Sequence, residues 1–175
     1  DITRTLALMK RKGYRPCVKV ILDSFLDAIG ETGTLLIPTF NFDFTTGVPF
    51  SITSTKSQMG ALTEAVRNHP DAVRTGHPIY SFCVLGAQSH KFEGLDNISG
   101  YGVDSPFGML RELSGKIGVL DLQESNSMTF HHHVEEMMSV PYRVMKNVTG
   151  TYYDEFGGES VKTYSIYVRK IKRKS

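Results

Sequence analysis

A chain of 175 residues, with 40% hydrophobic and 22% charged side chains, is long enough for one domain with a sizeable core. Its formal net charge of +2 is too small to indicate a nucleic-acid partner, and no apolar run reaches the length of a membrane span. The two cysteines, Cys17 and Cys83, lie far apart among apolar residues. This pattern favours reduced thiols in a cytoplasmic protein over a disulfide framework.

The first half of the chain alternates between helical and strand-like patterns. Apolar residues recur at helical spacing over residues 2–12 and, more regularly, over residues 18–29. Residues 34–38 form a short apolar run that is typical of a strand buried on both faces. A polar and aromatic loop over residues 39–53 separates this strand from a third helical pattern at residues 57–68.

The second half continues this alternation. Residues 79–86 form a second strand pattern, and Ser105 followed by Pro106 has the N-cap and N1 chemistry of a helix start. Residues 116–122 are the third predicted strand, and a helix over residues 126–139 follows. Because strands that alternate with helices are typical of βαβ units, we expect an α/β domain with a largely parallel sheet covered by helices.

The end of the chain has a different pattern. The β-rich runs at residues 151–153 and 163–168 flank the turn-like segment 154–158, which predicts an added antiparallel hairpin. No repeat or low-complexity linker divides the sequence, so we expect one domain over residues 1–175. Because the chain starts without a methionine and stops within a charged segment, we expect that domain to be incomplete at both ends.

A run of histidines, His131 to His133, is followed by Glu135 and Glu136. Imidazole is readily poised to accept a proton near neutral pH, and a nearby carboxylate can fix its tautomer and stabilise its charged form. His132 and Glu135 are therefore a candidate general base and its orienting partner. In the first turn of the predicted helix, the positive helix end would keep the His132 ring neutral.

The polar residues of this segment lie opposite the apolar ones if the segment is helical. We expect a buried apolar face and a polar face, formed respectively by Phe130, Val134, Met137 and Met138 and by His132, Glu135, Glu136 and Ser139. The polar face either lines a cleft, where it performs chemistry, or is a solvated surface.

A metal site is the rival interpretation of the cluster from His131 to Glu136, and it would make the protein a metal-dependent hydrolase. Imidazole and carboxylate groups are ordinary zinc and iron ligands. The familiar helical zinc motif, however, needs histidines four positions apart, and Glu136 stands where the second would be. Adjacent histidines point about 100° apart on a helix. We therefore expect no metal.

Two other segments carry candidate binding residues. His77 and Ser81 lie at a loop-to-strand junction, where ligands often bind in α/β sheets, although a purely structural loop has the same pattern. The glycine-rich loop that leads to Ser105 resembles an anion cradle at a helix start. Asn41 and Asp43 follow a strand among aromatic residues, in a pocket for a cation or sugar or in a packed loop.

These segments, taken together, resemble the aminoglycoside 3-N-acetyltransferase family, which is distinct from the GNAT fold. The resemblance extends over about residues 33–144, and its pieces occur in the order Gly33–Phe40, Gly60–Ala65, His69-Pro70 with Arg74, His77-Pro78 with Ser81-Phe82, Ser105–Gly108, and Asn126 through His132-x-x-Glu135. Each piece is weakly specific, and the ordered set is what identifies the family. Family members also carry an N-terminal strand–helix unit with a His-Ser-Ser segment that this sequence lacks.

The resemblance implies a three-layer α/β/α fold and acetyl transfer from acetyl-CoA to an amine of a sugar. It makes His132 the general base and Glu135 its orienting residue, because only an unprotonated amine has the lone pair that attacks a thioester. The implied coenzyme contacts are His77, Ser81, Ser105, Phe107 and Thr129. Ser81, backbone N–H groups or both would stabilise the oxyanion.

The acceptor that the resemblance implies is an amino sugar, and Asn41 and Asp43 are its expected contacts. It is either an aminoglycoside, which implies antibiotic resistance, or an amino sugar of surface polysaccharide synthesis. The few acidic residues in the acceptor loops favour a less charged sugar. A noncatalytic binding fragment is a third hypothesis. We expect no nucleic-acid or membrane partner, and the sequence leaves the oligomeric state open.

Overall fold

The structure, a computed structural model, describes residues 2–120, 122–123 and 127–170. Short 3-10 helices occupy Asp43–Thr46 and Ser89–Phe92. The helices and strands are α1 (Thr3–Arg11), α2 (Val18–Ile29), β1 (Thr34–Pro38), β2 (Phe50–Ser51), α3 (Ala61–Arg67), β3 (Val73–Arg74), β4 (Phe82–Gly86), α4 (Pro106–Glu112), α5 (Phe130–Met137), β5 (Arg143–Tyr153) and β6 (Glu159–Arg169).

The first sheet has the strand order β1-β4-β3, and both of its pairs are antiparallel. Successive side chains of a strand point to opposite faces. Phe82 and Val84 of β4 therefore join one apolar cluster, whereas Cys83 and Leu85 join another.

Helices cover both faces of this sheet. Leu22 of α2 and Val66 of α3 pack on the face that carries Cys83. Phe107 of α4 packs on the opposite face, and Phe130 of α5 lies at the edge of the same cluster. The cluster that contains Phe82, Val84 and Phe107 is mostly aromatic, and it lies between the sheet and α5, the helix that carries the candidate site.

The second sheet has the order β2-β5-β6 and contains the long hairpin of β5 and β6. The turn of the hairpin is closed by Asp154, whose Oδ1 accepts the backbone N–H groups of Phe156 at 2.9 Å and Gly158 at 2.7 Å. Gly157 has a φ of +81°, a conformation that glycine adopts without steric cost. Tyr164 and Ile166 of β6 pack in the apolar cluster of this sheet.

The hairpin also fixes the loop that precedes α4. The Gly100 N–H donates to the Ser165 carbonyl at 2.9 Å, and the Ser165 N–H donates to the Ile98 carbonyl at 2.8 Å. Gly108 lets α4 approach the same loop, because a Cβ there would collide with the Val103 carbonyl. Residues 98–103 are thus held between β6 and α4.

The predicted mixed α/β class and the C-terminal hairpin are confirmed, but the largely parallel sheet was wrong. Within the described ranges, the only parallel strand pair is the two-residue pairing of β2 with β5. The error has a physical origin, because a strand buried on both faces has the same apolar pattern whichever way it runs. The chain turns back over residues 75–81, so β3 and β4 are antiparallel neighbours.

The predicted strand over residues 116–122 was also wrong for its described part. Residues 116–120 and 122 have no strand structure, and Asp121 lies outside the described residues. Ile117 and Val119 are exposed, although their alternation imitates a strand. An apolar alternation becomes a strand only when a neighbouring strand receives its backbone hydrogen bonds, and no described strand does so here.

Among the residues that the structure describes, no helix combines the length and the apolar character needed to cross a membrane.

Candidate active site

Helix α5 is anchored by a buried histidine. His133 is 1% exposed, and its Nδ1 lies 2.7 Å from the backbone carbonyl of Tyr101. A carbonyl oxygen only accepts hydrogen bonds, so His133 carries a proton on Nδ1. This bond joins α5 to the loop that precedes α4 and fixes the rotation of the helix.

The rotation differs from the one predicted from apolar spacing. Val134 is 47% exposed, Met137 37% and Met138 72%, so the expectation that they form the buried face was wrong. A buried carbonyl without a donor is costly, and the imidazole of His133 satisfies the Tyr101 carbonyl at a site where a methionine would leave it unpaired. The predicted helix start at Asn126 lies outside the described residues, and the described helix begins at Phe130.

His132 and Glu135 meet on the half-exposed side of α5. The Nδ1 atom of His132 lies 2.6 Å from Oε2 of Glu135, and their side chains are 33% and 18% exposed. A carboxylate accepts, so this contact favours the tautomer that has its proton on Nδ1. The Nε2 atom is then the ring atom that can accept a proton.

Glu135 has two further partners from the start of the hairpin. The Tyr142 hydroxyl donates to Oε1 at 2.8 Å, and Nε of Arg143 forms an ion pair with Oε2 at 2.6 Å. Burial raises the pKa of Glu135, but the hydrogen bonds from His132 and Tyr142 and the charge of Arg143 outweigh it and hold the pKa below its ordinary value. The carboxylate is therefore charged at neutral pH.

Arg143 also contacts the imidazole, which the sequence did not predict. Its Nη2 lies 2.9 Å from Nδ1 of His132, and its Nη1 donates to the Tyr167 carbonyl at 2.8 Å. The side chain is 8% exposed. Its one signal in the sequence is its place directly after Pro141 and Tyr142, where α5 has ended and β5 begins.

A row of aromatic rings extends from His132 toward the predicted acceptor loop. The ring centroids of His132 and Tyr101 are 5.3 Å apart, those of Tyr101 and Tyr80 are 4.5 Å apart, and those of Tyr80 and Phe42 are 6.1 Å apart. Burial raises the pKa of Tyr80 and of Tyr101. Both phenols therefore keep their protons near neutral pH.

The predicted acceptor residues lie on either side of Phe42 in this row. Asn41 is buried, and it accepts the Asp43 N–H at 2.9 Å and donates to the Lys56 carbonyl at 3.0 Å. Asp43 is exposed, and its Oδ1 accepts from Gln58 at 2.8 Å. The polar atoms of Asn41 thus hold the loop in place, whereas the side chain of Asp43 lies at the surface.

His77 is an internal residue in this structure. Its Nδ1 accepts the N–H groups of Ile79 at 3.2 Å and Tyr80 at 3.1 Å, which leaves the proton on Nε2. Burial lowers the pKa of His77 to about 4. The ring is therefore a neutral support for the turn that precedes β4, with no exposed atom for a coenzyme.

The other expected coenzyme contacts are mostly internal as well. Ser81 Oγ donates to the Thr39 carbonyl at 3.0 Å. Ser105 Oγ donates to the Gly102 carbonyl at 2.6 Å and accepts the Gly108 N–H at 3.3 Å, as the N-cap of α4.

Phe107 is buried in the aromatic cluster, and Thr129 is half-buried at the N-terminus of α5. Direct contact with a coenzyme needs an accessible atom. Of the five expected contacts, Thr129 is therefore the one that offers appreciable surface.

The histidine cluster does not form a metal-ligand set in this conformation. Within the described ranges, no three side chains of histidine, cysteine, aspartate or glutamate are grouped so that they could hold one ion. His131 is exposed, whereas Nδ1 of His133 is occupied by the Tyr101 carbonyl. The neighbouring histidines thus point to different surroundings, as helical geometry predicts.

Two cavities of the structure lie away from the histidine cluster of α5. One of about 350 Å³ is lined by residues of α2 and β4 and by residues of the loops that follow α2 and α3, including Glu31, His69 and Asp71. The other, of about 140 Å³, lies between Thr34 and Leu113. Neither contains His132 or Glu135 in its wall, so the chemistry of the side chains, rather than cavity size, identifies the candidate site.

Comparison with known proteins supports a single family. The family model described as Aminoglycoside 3-N-acetyltransferase matches residues 10–173. The chain is 26% identical over 151 residues to aminoglycoside N(3)-acetyltransferase VII of Streptomyces paromomycinus, a match that covers 70% of this chain and 49% of that protein. The chain thus spans about half the length of this curated relative.

Solved structures share the fold. AAC-VIa with bound sisomicin has a TM-score of 0.77 and 18% identity, over 89% of this chain and 64% of that chain. AAC-IIIb in a binary complex with CoASH has a TM-score of 0.73 and 23% identity, over 87% of this chain and 63% of that chain. The mixed α/β arrangement of the described residues is therefore the arrangement of these proteins.

Proposed function

We propose that this chain, which belongs to the aminoglycoside 3-N-acetyltransferase family, carries the base of an enzyme that transfers an acetyl group from acetyl-CoA to an amine of a sugar. Membership rests on the family match over residues 10–173. The single observation that carries the chemical role is the 2.6 Å contact between Nδ1 of His132 and Oε2 of Glu135.

The contact supports a base at Nε2 of His132. As the amine nitrogen attacks the thioester carbonyl carbon, a carbon–nitrogen bond forms and the nitrogen becomes acidic. The imidazole takes that proton on Nε2, and Glu135 stabilises the resulting cation through Nδ1. When the carbon–sulfur bond breaks, the proton returns to the sulfur of the leaving coenzyme A, so that the histidine is regenerated.

The relatives support the choice of both substrates. AAC-IIIb is bound to CoASH and AAC-VIa to sisomicin, in folds that this chain shares. We propose acetyl-CoA as the co-substrate and an aminoglycoside or a related amino sugar as the acceptor. Asp43 is the proposed acceptor contact because its exposed carboxylate can attract an ammonium group, and Thr129 is the proposed coenzyme contact.

The test is acetyl-CoA-dependent thiol release with a panel of acceptors. The panel contains sisomicin, an amino sugar with a single amine such as glucosamine, and a simple alkylamine. We expect release above spontaneous hydrolysis with at least one sugar amine and not with the alkylamine, and no change when a chelator is added. Release at the hydrolysis rate with every sugar amine contradicts the proposal, and release that a chelator abolishes favours the metal-dependent alternative.

A further inference from the structure

We propose that Arg143 is a positioning residue that opposes the protonation of His132 by countering the charge of Glu135. The inference rests on the proposed function, since an unprotonated ring matters for a residue that acts as a base. It gives a residue at the start of the hairpin a role in the chemistry of His132 on α5.

The geometry places the guanidinium of Arg143 against both members of the pair. Nη2 lies 2.9 Å from Nδ1 of His132, and Nε lies 2.6 Å from Oε2 of Glu135. Nη1 donates to the Tyr167 carbonyl at 2.8 Å, which ties the group to β6. With 8% exposure, the side chain has little water to screen its charge.

Two opposite charges therefore act on the imidazole. Glu135 favours the imidazolium, because a nearby carboxylate stabilises a cation. Arg143 opposes that effect, because its positive charge neutralises the carboxylate and repels a second cation. The trio has no net charge while His132 is neutral and a charge of +1 once it is protonated.

The arrangement of protons on Nδ1 leads to the same conclusion. That atom faces an acceptor, Glu135 Oε2, and a donor, Arg143 Nη2. A neutral ring satisfies one of them in each tautomer, by donating to the carboxylate or by accepting from the guanidinium. A protonated ring has N–H on both nitrogens, so it can no longer accept from Arg143, whereas the neutral ring with its proton on Nε2 can.

The other titratable groups around the ring are few. On the same helix, Glu136 is turned toward the loop, where its Oε1 accepts from Ser99 at 2.6 Å. Tyr101 presents its ring to His132, and Tyr142 reaches the pair only through Oε1 of Glu135. Arg143 is thus the cation that the described neighbours bring directly to the imidazole.

The test is a pH titration of the His132 imidazole by NMR in the parent chain, Arg143→Gln and Arg143→Lys, with the signals assigned by their loss in His132→Gln. Arg67→Gln is the matched control, because Arg67 forms a similar ion pair with Glu64 at 2.8 Å on α3. We expect the midpoint of the His132 signals to rise by about one pH unit in Arg143→Gln. It should stay near the parent value in Arg143→Lys, which keeps the charge, and in Arg67→Gln.

The outcomes separate this inference from the proposed function. An unchanged or lowered midpoint of the His132 signals in a folded Arg143→Gln overturns the inference. A rise of a full pH unit in Arg143→Lys overturns it as well. The lysine variant therefore still tests the inference if the glutamine variant does not fold. In Arg143→Gln, the acid side of the pH profile of kcat/KM should move up by about one pH unit, which is about a tenfold change in proton concentration. The value of kcat/KM at high pH should change little. A parent chain that transfers no acetyl group contradicts the proposed function and leaves the NMR result as the test of Arg143.

Discussion

Glu135 lies one helical turn beyond His132, and its Oε2 is 2.6 Å from the imidazole Nδ1. Residues three positions apart share one side of a helix, so the pair is built within α5. Its surroundings come from elsewhere, because Tyr101 packs against the ring and Arg143 and Tyr142 hold the carboxylate. The predicted pair of His132 and Glu135 therefore forms within one helix, whereas the charge that acts on it comes from Arg143 at the start of the hairpin.

Replacing Glu135 by glutamine keeps its shape and removes its charge. We expect acetyl transfer at neutral pH to fall by at least about tenfold, because the imidazolium that forms during the reaction loses its partner. A thiol-release assay measures this effect, and full activity in the variant would show that the carboxylate is not used.

The same variant alters the pH dependence of stability. The pKa of Glu135 is lowered in the folded chain, so its contacts stabilise the fold above the ordinary carboxyl range. That stability is lost as the pH falls through the lowered pKa. The parent should therefore lose more unfolding free energy on acidification than Glu135→Gln, as measured by urea unfolding. Equal losses would contradict the assigned contacts.

His133 and His131 have opposite expected effects on stability. His133→Ala removes a buried ring and leaves the Tyr101 carbonyl without its donor, so we expect a loss of about 2–4 kcal/mol in the free energy of unfolding. The exposed neighbour His131→Ala should change it by less than about 0.5 kcal/mol. Denaturant unfolding of both variants checks this contrast. A mild effect at His133 would mean that the hydrogen bond does not anchor α5.

His77 should make the fold sensitive to mild acid. Burial lowers its pKa from 6.5 to about 4, so between these values the unfolded chain binds a proton that the folded chain does not. Stability is complete above pH 6.5 and decreases as the pH falls toward 4.

A His77→Gln variant tests this dependence, since its carbonyl can accept the N–H groups of Ile79 and Tyr80. Between about pH 7 and pH 5, the parent should lose about 2 kcal/mol more unfolding free energy than the variant. Parallel losses in urea unfolding would show that the folded chain protonates His77 as readily as the unfolded chain does.

Ser105 is expected to act through α4 rather than through the coenzyme. Ser105→Ala removes the N-cap acceptor of Gly108 and the donor to the Gly102 carbonyl, which should cost about 1–2 kcal/mol of unfolding free energy. Coenzyme A affinity, measured by calorimetric titration, should remain close to that of the parent. Weaker affinity with unchanged stability would restore Ser105 as a coenzyme contact.

The sequence predicted those elements whose patterns are set locally. The bounds of α2 and β1 agree with the apolar spacing, and Ser105 caps α4 as its chemistry indicates. Strand direction was not predictable, because a strand such as β4 that is buried on both faces has the same apolar pattern in a parallel and in an antiparallel sheet. The extent of β5 was also underestimated, since its first residues are mostly exposed and polar.

The candidate site was likewise predictable only where its contacts are local in the sequence. The pairing of His132 with Glu135 follows from helical spacing, but the burial of His133 depends on a carbonyl in a distant loop. The contacts of Arg143 were not predictable, because they arise only when the start of β5 lies beside α5. The sequence placed His77 and Ser81 at a loop-to-strand junction, but it did not show that the turn before β4 buries them.

The most direct test of the account compares acetyl transfer by the parent, His132→Ala and the control His131→Ala, each checked for folding by its amide NMR spectrum. We predict that His132→Ala lowers kcat by about 10² or more, because the amine loses its proton acceptor, and that it leaves stability close to that of the parent. His131→Ala should retain the activity of the parent. Turnover of a folded His132→Ala within a few-fold of the parent would contradict the account and remove this histidine from the mechanism.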